Sequence, residues 1–430
     1  MEIGQASSLP SPVVGVTSRQ QYLLDAARIS AIIACVALLY SPTVASIGLI
    51  AAYVTFLASG QVIARFGPLL TRPMVYWGLA FLGIVLLATL YSSVPWEDRL
   101  VGFSKWRTVL WALVLLALFD RQRWKERLLI AFIVGSAIGV IASFAAAGGF
   151  ITFKRGPEGV LRNSSTQGMV FAVSALICLW MWLEKKCEGR FWWIWAALGS
   201  LYVLNVVFVT PGKSGYAVLG LGIGVLVMRR IPSRWWVGAG LGIIVLGLVA
   251  FLLSSRMQEV MNKSISEWIH ANELQIHTPL GTRRVFHSNA LEIAREHLLF
   301  GVGTGGFRKA YAEHVAGKYE ASDWRADPTG DPHNQYLAIW VQQGLVGLVV
   351  FLLWLIAIAR DLGTVPRYRQ LALAIFLGWC MTSLFSSHFT TFAEGHLIAT
   401  FLGVLLAVPS TEGEVKPEFD SRFINSGIPC

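Results

Sequence analysis

Long apolar runs separated by short polar connections limit what this 430-residue chain can fold into more than any other feature of its sequence. Hydrophobic residues make up 55% of the chain and charged residues only 14%, and the mean hydropathy is +0.59. A helix needs about 20 consecutive apolar residues to cross a bilayer, where it satisfies its own backbone polar groups. The composition therefore excludes an ordinary soluble globule and predicts an all-α polytopic membrane protein.

About twelve apolar runs are long enough to be drawn as transmembrane helices. They cover approximately residues 24–43, 45–61, 74–93, 104–120, 127–148, 168–184, 191–210, 214–229, 235–255, 336–359, 368–387 and 395–410. The predicted organisation is transmembrane helices 1–9 within residues 1–255, a folded outer loop domain over 256–335, helices 10–12 within 336–410 and a cytoplasmic tail over 411–430. No removable signal peptide is expected, because the first run leads directly into a second one.

The basic residues of the short loops predict the orientation of these helices. Four connections that fall on one side when twelve spans are counted hold Arg121, Arg123, Lys125, Arg127, Lys185, Lys186, Arg190, Arg229, Arg230, Arg234, Arg360, Arg367 and Arg369. Both termini are therefore predicted to be cytoplasmic and the long loop to lie on the outer face. Most of the net charge of +10 comes from this bias. No nucleic-acid motif accompanies it, so a nucleic-acid partner is not expected.

The predicted outer loop has the composition of a folded segment. It carries nine basic and ten acidic residues and is nearly neutral. Val285, Leu291, Ile293, Ala294 and Leu298 follow near-helical spacing and predict an amphipathic helix that could lie on the bilayer surface. The stretch GVGTGGF then has four glycines in six residues, which predicts a tight turn or a backbone-accessible loop.

All eight histidines fall in or at the edge of predicted outer-face loops, which raises the question of a metal site. They are His270, His277, His287, His297, His314, His333, His388 and His396. No two have the i, i+4 spacing of a helical ligand pair, and there is neither a His-Glu-x-x-His motif nor a cysteine cluster. No metal or other cofactor is expected, and most of these histidines are expected to be solvated or interfacial.

Nine cations depart from the positive-inside pattern. They are Arg99, Lys105, Arg107, Lys154, Arg155, Arg162, Lys213, Arg283 and Arg284. Snorkelling explains any one of them, but as a group they favour an anionic ligand such as phosphate or pyrophosphate at the outer boundary of the membrane. Lys213 is the sharpest case, because VTPGKSGYAVL places it in a tight turn between two apolar runs. A structural and a phosphate-facing lysine both fit that position.

His333 stands where the loop-like sequence GDPHNQ meets an apolar run. A single histidine at the start of a helix is often only a boundary residue. A helix N-terminus also favours the neutral imidazole, which is the form that a general base requires. Asp331 and Asn334 are close enough in sequence to orient the ring.

The spacing around this histidine resembles the strongest local signature of the bacterial O-antigen ligase and polymerase superfamily. The signature is His, then Asn, Ser or Gln, nine residues, Gly, two residues and Gly. The matching positions are His333, Asn334, Gly344 and Gly347. TPGKSGYAVL is also similar to the family's Thr-x-Ser-Arg-(Thr/Ser)-Gly-Tyr turn, with Lys213 where an arginine is usual.

A third block, RRVFHSNALEIAREHLLFGVGTGGF, resembles the family segment in which an arginine precedes an amphipathic helix that ends in His-Pro-Leu-x-Gly-Val-Gly. The sequence departs from that segment with His287 where a tryptophan is common and Leu298 in place of the proline. Either Arg283 or Arg284 can therefore occupy the arginine position.

The resemblance implies a GT-C-type membrane glycosyltransferase that takes a glycan from undecaprenyl pyrophosphate at the periplasmic face of the bacterial inner membrane. In ligases the acceptor is a sugar hydroxyl of the lipid A-core, in polymerases it is another lipid-linked repeat, and in related oligosaccharyltransferases it is a protein hydroxyl. The resemblance implies no nucleotide sugar, no metal and no other cofactor.

The expected mechanism on this basis is an inverting displacement with His333 as general base. Lys213, one of Arg283 and Arg284, and Arg162 are expected to bind the pyrophosphate. Chain length and the outer-face cations favour a ligase, while a polymerase of the same family and a lipid-linked glycan transporter or flippase remain alternatives. A transporter would need ionisable residues near the midplane of several spans, and these runs are almost free of charge.

Overall fold

The computed structural model describes residues 16–185, 192–210, 212–269, 278–320 and 322–408. Over these ranges the secondary structure is helical, with seventeen α-helices, five short 3-10 helices and no strand. The α-helices are α1 Ser18–Ala37, α2 Pro42–Ala58, α3 Val62–Phe66, α4 Pro73–Leu90, α5 Trp96–Ser104, α6 Arg107–Leu118, α7 Gln122–Ala147, α8 Ser164–Lys185, α9 Trp193–Phe208, α10 Lys213–Met228, α11 Trp236–Leu253, α12 Ser255–Ile269, α13 Pro279–Glu296, α14 Phe307–Val315, α15 Gln335–Asp361, α16 Arg369–Thr382 and α17 Phe392–Leu406. The predicted tail over 411–430 lies outside the described residues.

The predicted multi-pass helical class is confirmed, with fewer complete spans than the twelve expected. Within the described ranges, six helical segments are long and apolar enough to cross a membrane. A seventh is obtained if α2 and the segment after it, which meet at a bend of 100°, form one broken span. The six segments are Pro73–Leu90, Trp96–Leu118, Gln122–Ala147, Ser164–Glu184, Ser233–Leu253 and Gln335–Thr364. The expected count was higher because it took each apolar run as a full span, whereas α9, α10 and α17 are only 15 or 16 residues long.

A small separate core joins the helices that follow α12. Ile293 and Ala294 of α13 pack with Phe307 and Tyr311 of α14 and with Val341 of α15. The predicted amphipathic helix is therefore present. Ile293 and Ala294 of its apolar face are buried against α14 and α15, whereas Leu298 is exposed.

The start of α13 also differs from the expectation. The Thr278 hydroxyl accepts a hydrogen bond from the backbone N–H of Gly281 at 3.0 Å and caps the helix, and Pro279 occupies its first turn. Arg283 and Arg284 thus lie inside the helix and do not precede it. Neighbouring helical residues point about 100° apart, so the two arginines face different surroundings.

Gly344 breaks α15 near its middle. Its backbone has φ +69° and ψ −172°, a conformation that favours glycine. The break receives the chain after α13: the Leu345 N–H donates to the carbonyl of Leu298 at 2.9 Å, and the Val302 N–H donates to the carbonyl of Val341 at 2.8 Å. A Cβ at position 344 would lie 2.1 Å from the carbonyl oxygen of Leu299. Gly344 therefore admits a non-helical segment to the break in α15.

Gly347 and the glycines of GVGTGGF complete this junction. A Cβ at Gly347 would meet the Gln343 side chain at 2.2 Å, which shows how tightly α15 turns after the break. The predicted tight turn is confirmed, since Gly301, Gly303 and Gly305 all have positive φ. The turn packs on α4, where the Thr304 hydroxyl donates to the carbonyl of Val85 at 2.7 Å.

Candidate active site

His333 is held in a strained backbone conformation just before α15. Its φ is +56°, and among the described residues the one other non-glycine position with positive φ is Arg162. Such a conformation costs about 1–3 kcal/mol and is concentrated at functional sites. The two strained positions are thus both residues that the sequence had selected for the site.

Two neighbours fix the position of His333. Its backbone N–H donates to Asp331 Oδ1 at 2.8 Å, while its ring nitrogen Nδ1 lies 3.9 Å from Asp331 Oδ2, beyond hydrogen-bonding distance. The imidazole stacks on the ring of Phe286 in α13, with centroids 6.0 Å apart and planes at 12°. Asp331 therefore holds the backbone, and Phe286 orients the ring. The His333 side chain remains 40% exposed, so its edge is open to a substrate.

Asn334 and Asp331 connect this position to the rest of the fold. The Asn334 side chain caps α15 by accepting a hydrogen bond from the Leu337 N–H at 3.0 Å. Asp331 Oδ1 also accepts a hydrogen bond from the Ser387 hydroxyl at 2.6 Å. The segment before α15 is thus tied to the connection between α16 and α17.

Of the two candidate arginines, Arg283 is the one turned toward the other site residues. Arg283 is half-buried and Arg284 is exposed. The positive charge of Arg283 acts on Lys213, His287 and His388.

The charge of Arg283 affects the pKa values of Lys213 and His287. Partial burial and the charge of Arg283 lower the pKa of Lys213, while Glu267 opposes the shift. His287 has its Nε2 3.4 Å from the carbonyl oxygen of His333. Burial lowers the pKa of His287, the hydrogen bond to the His333 carbonyl opposes this shift, and the charge of Arg283 adds to it. α13 therefore carries both Arg283, whose charge acts on Lys213, and His287, whose ring lies near the backbone of His333.

Lys213 is the first residue of α10, and the start of this helix lies beside the start of α8. The hydroxyls of Ser165 and Ser214 are 3.3 Å apart. No side chain caps α10, whose N-cap residue is Gly212. The free N–H groups and the helix dipole at an uncapped N-terminus attract anions, and Lys213 adds a full positive charge there.

Arg162 lies just before α8. Its guanidinium carbon is 5.9 Å from the ring centroid of Phe392, the first residue of α17. One guanidinium nitrogen, Nη1, is buried and has no hydrogen-bond partner among the described residues. An unpartnered buried donor of this kind is available to a ligand.

His388 is a site residue that the sequence did not single out. It is only 3% exposed, and neither ring nitrogen has a hydrogen-bond partner in the described part of the chain. Burial lowers its pKa, while the carboxylates of Glu394 and Asp331 oppose the shift and the charge of Arg283 adds to it. In the sequence, His388 is one of eight histidines that fall on the predicted outer face. This one-sided distribution did not distinguish His388 from the other seven.

Neighbouring residues at the break in α15 line two cavities of different character. Gln342 lines a polar cavity of about 220 Å³ together with Asp331 and Ser387. Gln343 lines a groove of about 550 Å³ whose other walls include Leu87 and Phe300 and are almost wholly apolar. The break thus lies at a boundary between polar and apolar surroundings, as expected for chain near a membrane surface.

The remaining histidines and cations are distributed more widely. His270 and His277 lie outside the described residues. His314 lies 3.0 Å from Glu292, and Arg99 donates to the carbonyls of Val94 and Thr89 at 2.7 and 3.0 Å. Within the described ranges, no three His, Cys, Asp or Glu side chains are grouped so that they could hold a metal ion.

These features define a multi-pass helical membrane protein with a cationic, histidine-containing candidate site built from several separate segments. Residues 198–352 match the model of the O-antigen ligase family. The chain therefore carries an O-antigen ligase family domain. The matched range includes Lys213, Arg283 and His333, whereas Arg162 precedes it.

Two relatives show distant similarity. The chain is 23% identical over 322 residues to a protein of Rickettsia bellii named "Putative polysaccharide ligase", and the alignment covers 72% of this chain and 74% of that protein. It is 24% identical over 185 residues to an uncharacterized protein of Haemophilus influenzae. That alignment covers 42% of this chain and 45% of the relative, so it spans less than half of the relative's length.

Proposed function

We propose that this protein is an O-antigen ligase. It transfers a glycan from undecaprenyl pyrophosphate to a sugar hydroxyl of the lipid A-core at the periplasmic face of the bacterial inner membrane, with both termini cytoplasmic. The observation that carries the proposal is that α13 holds both Arg283, whose charge acts on Lys213, and Phe286, which stacks on His333. The start of α10 at Lys213 also lies beside the start of α8, which Arg162 precedes. A base beside a group of cations suits a reaction in which a hydroxyl attacks and a pyrophosphate leaves.

In the proposed reaction, His333 is the general base. Its imidazole takes the proton of the acceptor hydroxyl as the oxygen forms a bond to the anomeric carbon. The bond between that carbon and the pyrophosphate oxygen breaks, and the configuration inverts. A positioned base contributes about 10²–10⁴-fold to such a rate. The open edge of the His333 ring and its stacking on Phe286 support this role.

The leaving undecaprenyl pyrophosphate gains negative charge as its bond to the sugar breaks. In the proposal, Lys213 with the uncapped start of α10, Arg283 and the unpartnered Nη1 of Arg162 stabilise that charge. Fixed cations and N–H groups act most strongly where they are already in place before the reaction. In this scheme the enzyme is a GT-C-type transferase that uses no metal and no nucleotide sugar.

One assay separates this function from its alternatives. The purified protein in liposomes is incubated with undecaprenyl-pyrophosphate-linked glycan and lipid A-core in the presence of a chelator and without nucleotide. Glycosylated lipid A-core supports the ligase. Lengthened lipid-linked glycan instead identifies a polymerase of the same family, and the absence of any covalent product, with lipid-linked glycan moved across the bilayer, identifies a transporter or flippase.

A further inference from the structure

A small cavity near His333, with both polar and apolar walls, has no role in the reaction described so far. It has a volume of about 220 Å³ and lies between the end of α5, the start of α15 and the connection before α17. Its walls include Lys105, Asp331, Gln335, Thr390 and Thr391. Lys105 lies in the turn between α5 and α6 and is predicted from the sequence to lie on the outer face. The proposed pyrophosphate site gives it no use.

Three polar groups of this cavity lack partners within the described chain. Gln335 is 1% exposed, and its Oε1 accepts a hydrogen bond from the Phe389 N–H at 3.1 Å, yet its Nε2 donates to no described residue. Asp331 accepts both of its hydrogen bonds on Oδ1, which leaves Oδ2 without one. Lys105 forms no ion pair with a described residue. A buried amide donor, a carboxylate acceptor and an ammonium group are therefore available to a ligand.

These groups and the cavity's size indicate the class of ligand. Adjacent donors and acceptors match the hydroxyl groups of a sugar. Pockets for drug-sized ligands are typically about 300–1,000 Å³, so this smaller cavity suits one sugar ring better than an oligosaccharide. Lys105 adds a point charge at the rim, where a phosphate or carboxylate substituent on the sugar would meet it.

The position of the cavity indicates which substrate it takes. Asp331 lines the cavity, and its Oδ1 accepts a hydrogen bond from the backbone N–H of His333 at 2.8 Å, so the cavity adjoins the segment that holds the proposed base. Lys213, Arg283 and Arg162, which are assigned to the pyrophosphate, are not among the residues that line the cavity. The cavity is thus separate from the proposed pyrophosphate ligands and is free for the second substrate.

We propose that this cavity is an acceptor subsite that binds one sugar unit carrying a phosphate or carboxylate group, with Lys105 contacting the anionic group. The assignment of the sugar as acceptor rests on the proposed ligase function. The binding of an anionic sugar does not, and it is measured without any transfer.

The test uses full-length protein in nanodiscs and core oligosaccharide released from its lipid. Binding is measured by calorimetry for the native oligosaccharide, for a phosphatase-treated sample and for a sample whose carboxylates have been esterified. The variants are Lys105→Ala, Lys105→Arg and the matched control Lys154→Ala, which removes another exposed outer-face cation. We expect Lys105→Ala to weaken binding of the native oligosaccharide about tenfold or more, because a charge-assisted hydrogen bond is lost. Lys105→Arg should retain much of the binding affinity, and Lys154→Ala should leave the affinity unchanged.

The treated samples identify the anionic group. If phosphatase treatment removes the difference between the wild type and Lys105→Ala, the group is a phosphate, and if esterification removes it, the group is a carboxylate. Equal binding by the wild type, Lys105→Ala and Lys154→Ala would overturn the proposal. In the transfer assay Lys105→Ala should raise the KM for acceptor and leave kcat nearly unchanged. Transfer with an unchanged acceptor KM would retain the ligase and reject the subsite, whereas Lys105-dependent binding without transfer would retain the sugar site and reject the ligase.

Discussion

The imidazole of His333 stacks on the phenyl ring of Phe286, with the ring centroids 6.0 Å apart and the planes at 12°. Phe286 belongs to α13, the helix that also carries Arg283. The proposed base and one of the proposed pyrophosphate ligands therefore depend on the placement of a single helix. A change that moves α13 should alter both functions together.

Replacing Phe286 tests whether its ring orients the base. Phe286→Leu keeps an apolar side chain but removes the flat surface on which His333 rests, so we expect kcat for glycan transfer to fall about tenfold, in line with the sensitivity of catalysis to small misplacements. Phe286→Tyr, which keeps the ring, should retain most of the activity. Steady-state kinetics at saturating acceptor measure the effect. Equal kcat in the wild type and Phe286→Leu would show that the stacking has no catalytic consequence.

The adjacent arginines offer a matched pair of variants. Arg283 is half-buried and acts on Lys213 and His388, whereas Arg284 is exposed. Arg283→Ala should lower kcat/KM for the lipid-linked glycan by about 10²-fold, a typical cost of removing one group that stabilises developing charge. Arg284→Ala should change it little. The reverse order of effects in the same transfer assay would assign the pyrophosphate contact to Arg284.

The break in α15 at Gly344 should make the protein's stability sensitive to any side chain at this position. In Gly344→Ala, the new Cβ would meet the carbonyl oxygen of Leu299 at 2.1 Å and the backbone would hold a positive φ. The strained backbone alone costs about 1–3 kcal/mol, so we expect a clear fall in the thermal unfolding midpoint. Gly247→Ala in α11 is the control, because a Cβ there would meet no neighbouring group within 4 Å and a helical alanine is favourable. Identical midpoints for the two variants would argue against a fixed break.

His388 should make the folded protein sensitive to acid. Burial holds the pKa of its imidazole below the ordinary value, with Glu394 and Asp331 opposing the shift and Arg283 adding to it. The unfolded chain binds a proton at this position at about pH 6.5, while the folded chain binds it only at lower pH. The contribution of His388 to stability is therefore fully present above about pH 6.5 and is lost as the pH falls below it.

His388→Leu removes this titration while filling a similar volume. Thermal unfolding midpoints measured in detergent between about pH 8 and pH 5 should fall less steeply for the variant than for the wild type. His297→Leu, which changes an exposed histidine, is the control and should follow the wild-type curve. Parallel curves for wild type and His388→Leu would contradict the predicted coupling between burial and protonation.

The sequence predicts the class of this protein well, because an apolar composition determines that the chain is a helical membrane protein whatever the details. The number of complete spans is less predictable. It depends on where helices end or bend, as at the 100° bend after α2, and an apolar run alone does not mark such points.

Within the candidate site, the histidine-glycine spacing drew attention to His333 and Gly344, but it did not indicate that Gly344 breaks α15. Its positive φ is set by residues 298–303, which are distant in sequence and hydrogen-bond into the break. The sequence likewise does not show how α13 is rotated about its axis, and this rotation decides which of Arg283 and Arg284 faces the candidate site. His388 acquires its surroundings only when the connection before α17 meets Asp331, a long-range contact with no local sequence pattern.

The central claim is that His333 acts as the base in glycan transfer, and the most direct test is the transfer rate of His333→Asn. Asparagine tolerates the left-handed backbone at this position, so the variant should fold while losing the imidazole. With lipid-linked glycan, lipid A-core and a chelator present, we predict that the wild type forms glycosylated lipid A-core and that His333→Asn is slower by about 10²–10⁴-fold, with an unchanged unfolding midpoint. A folded His333→Asn protein that transfers glycan at close to the wild-type rate would contradict the account.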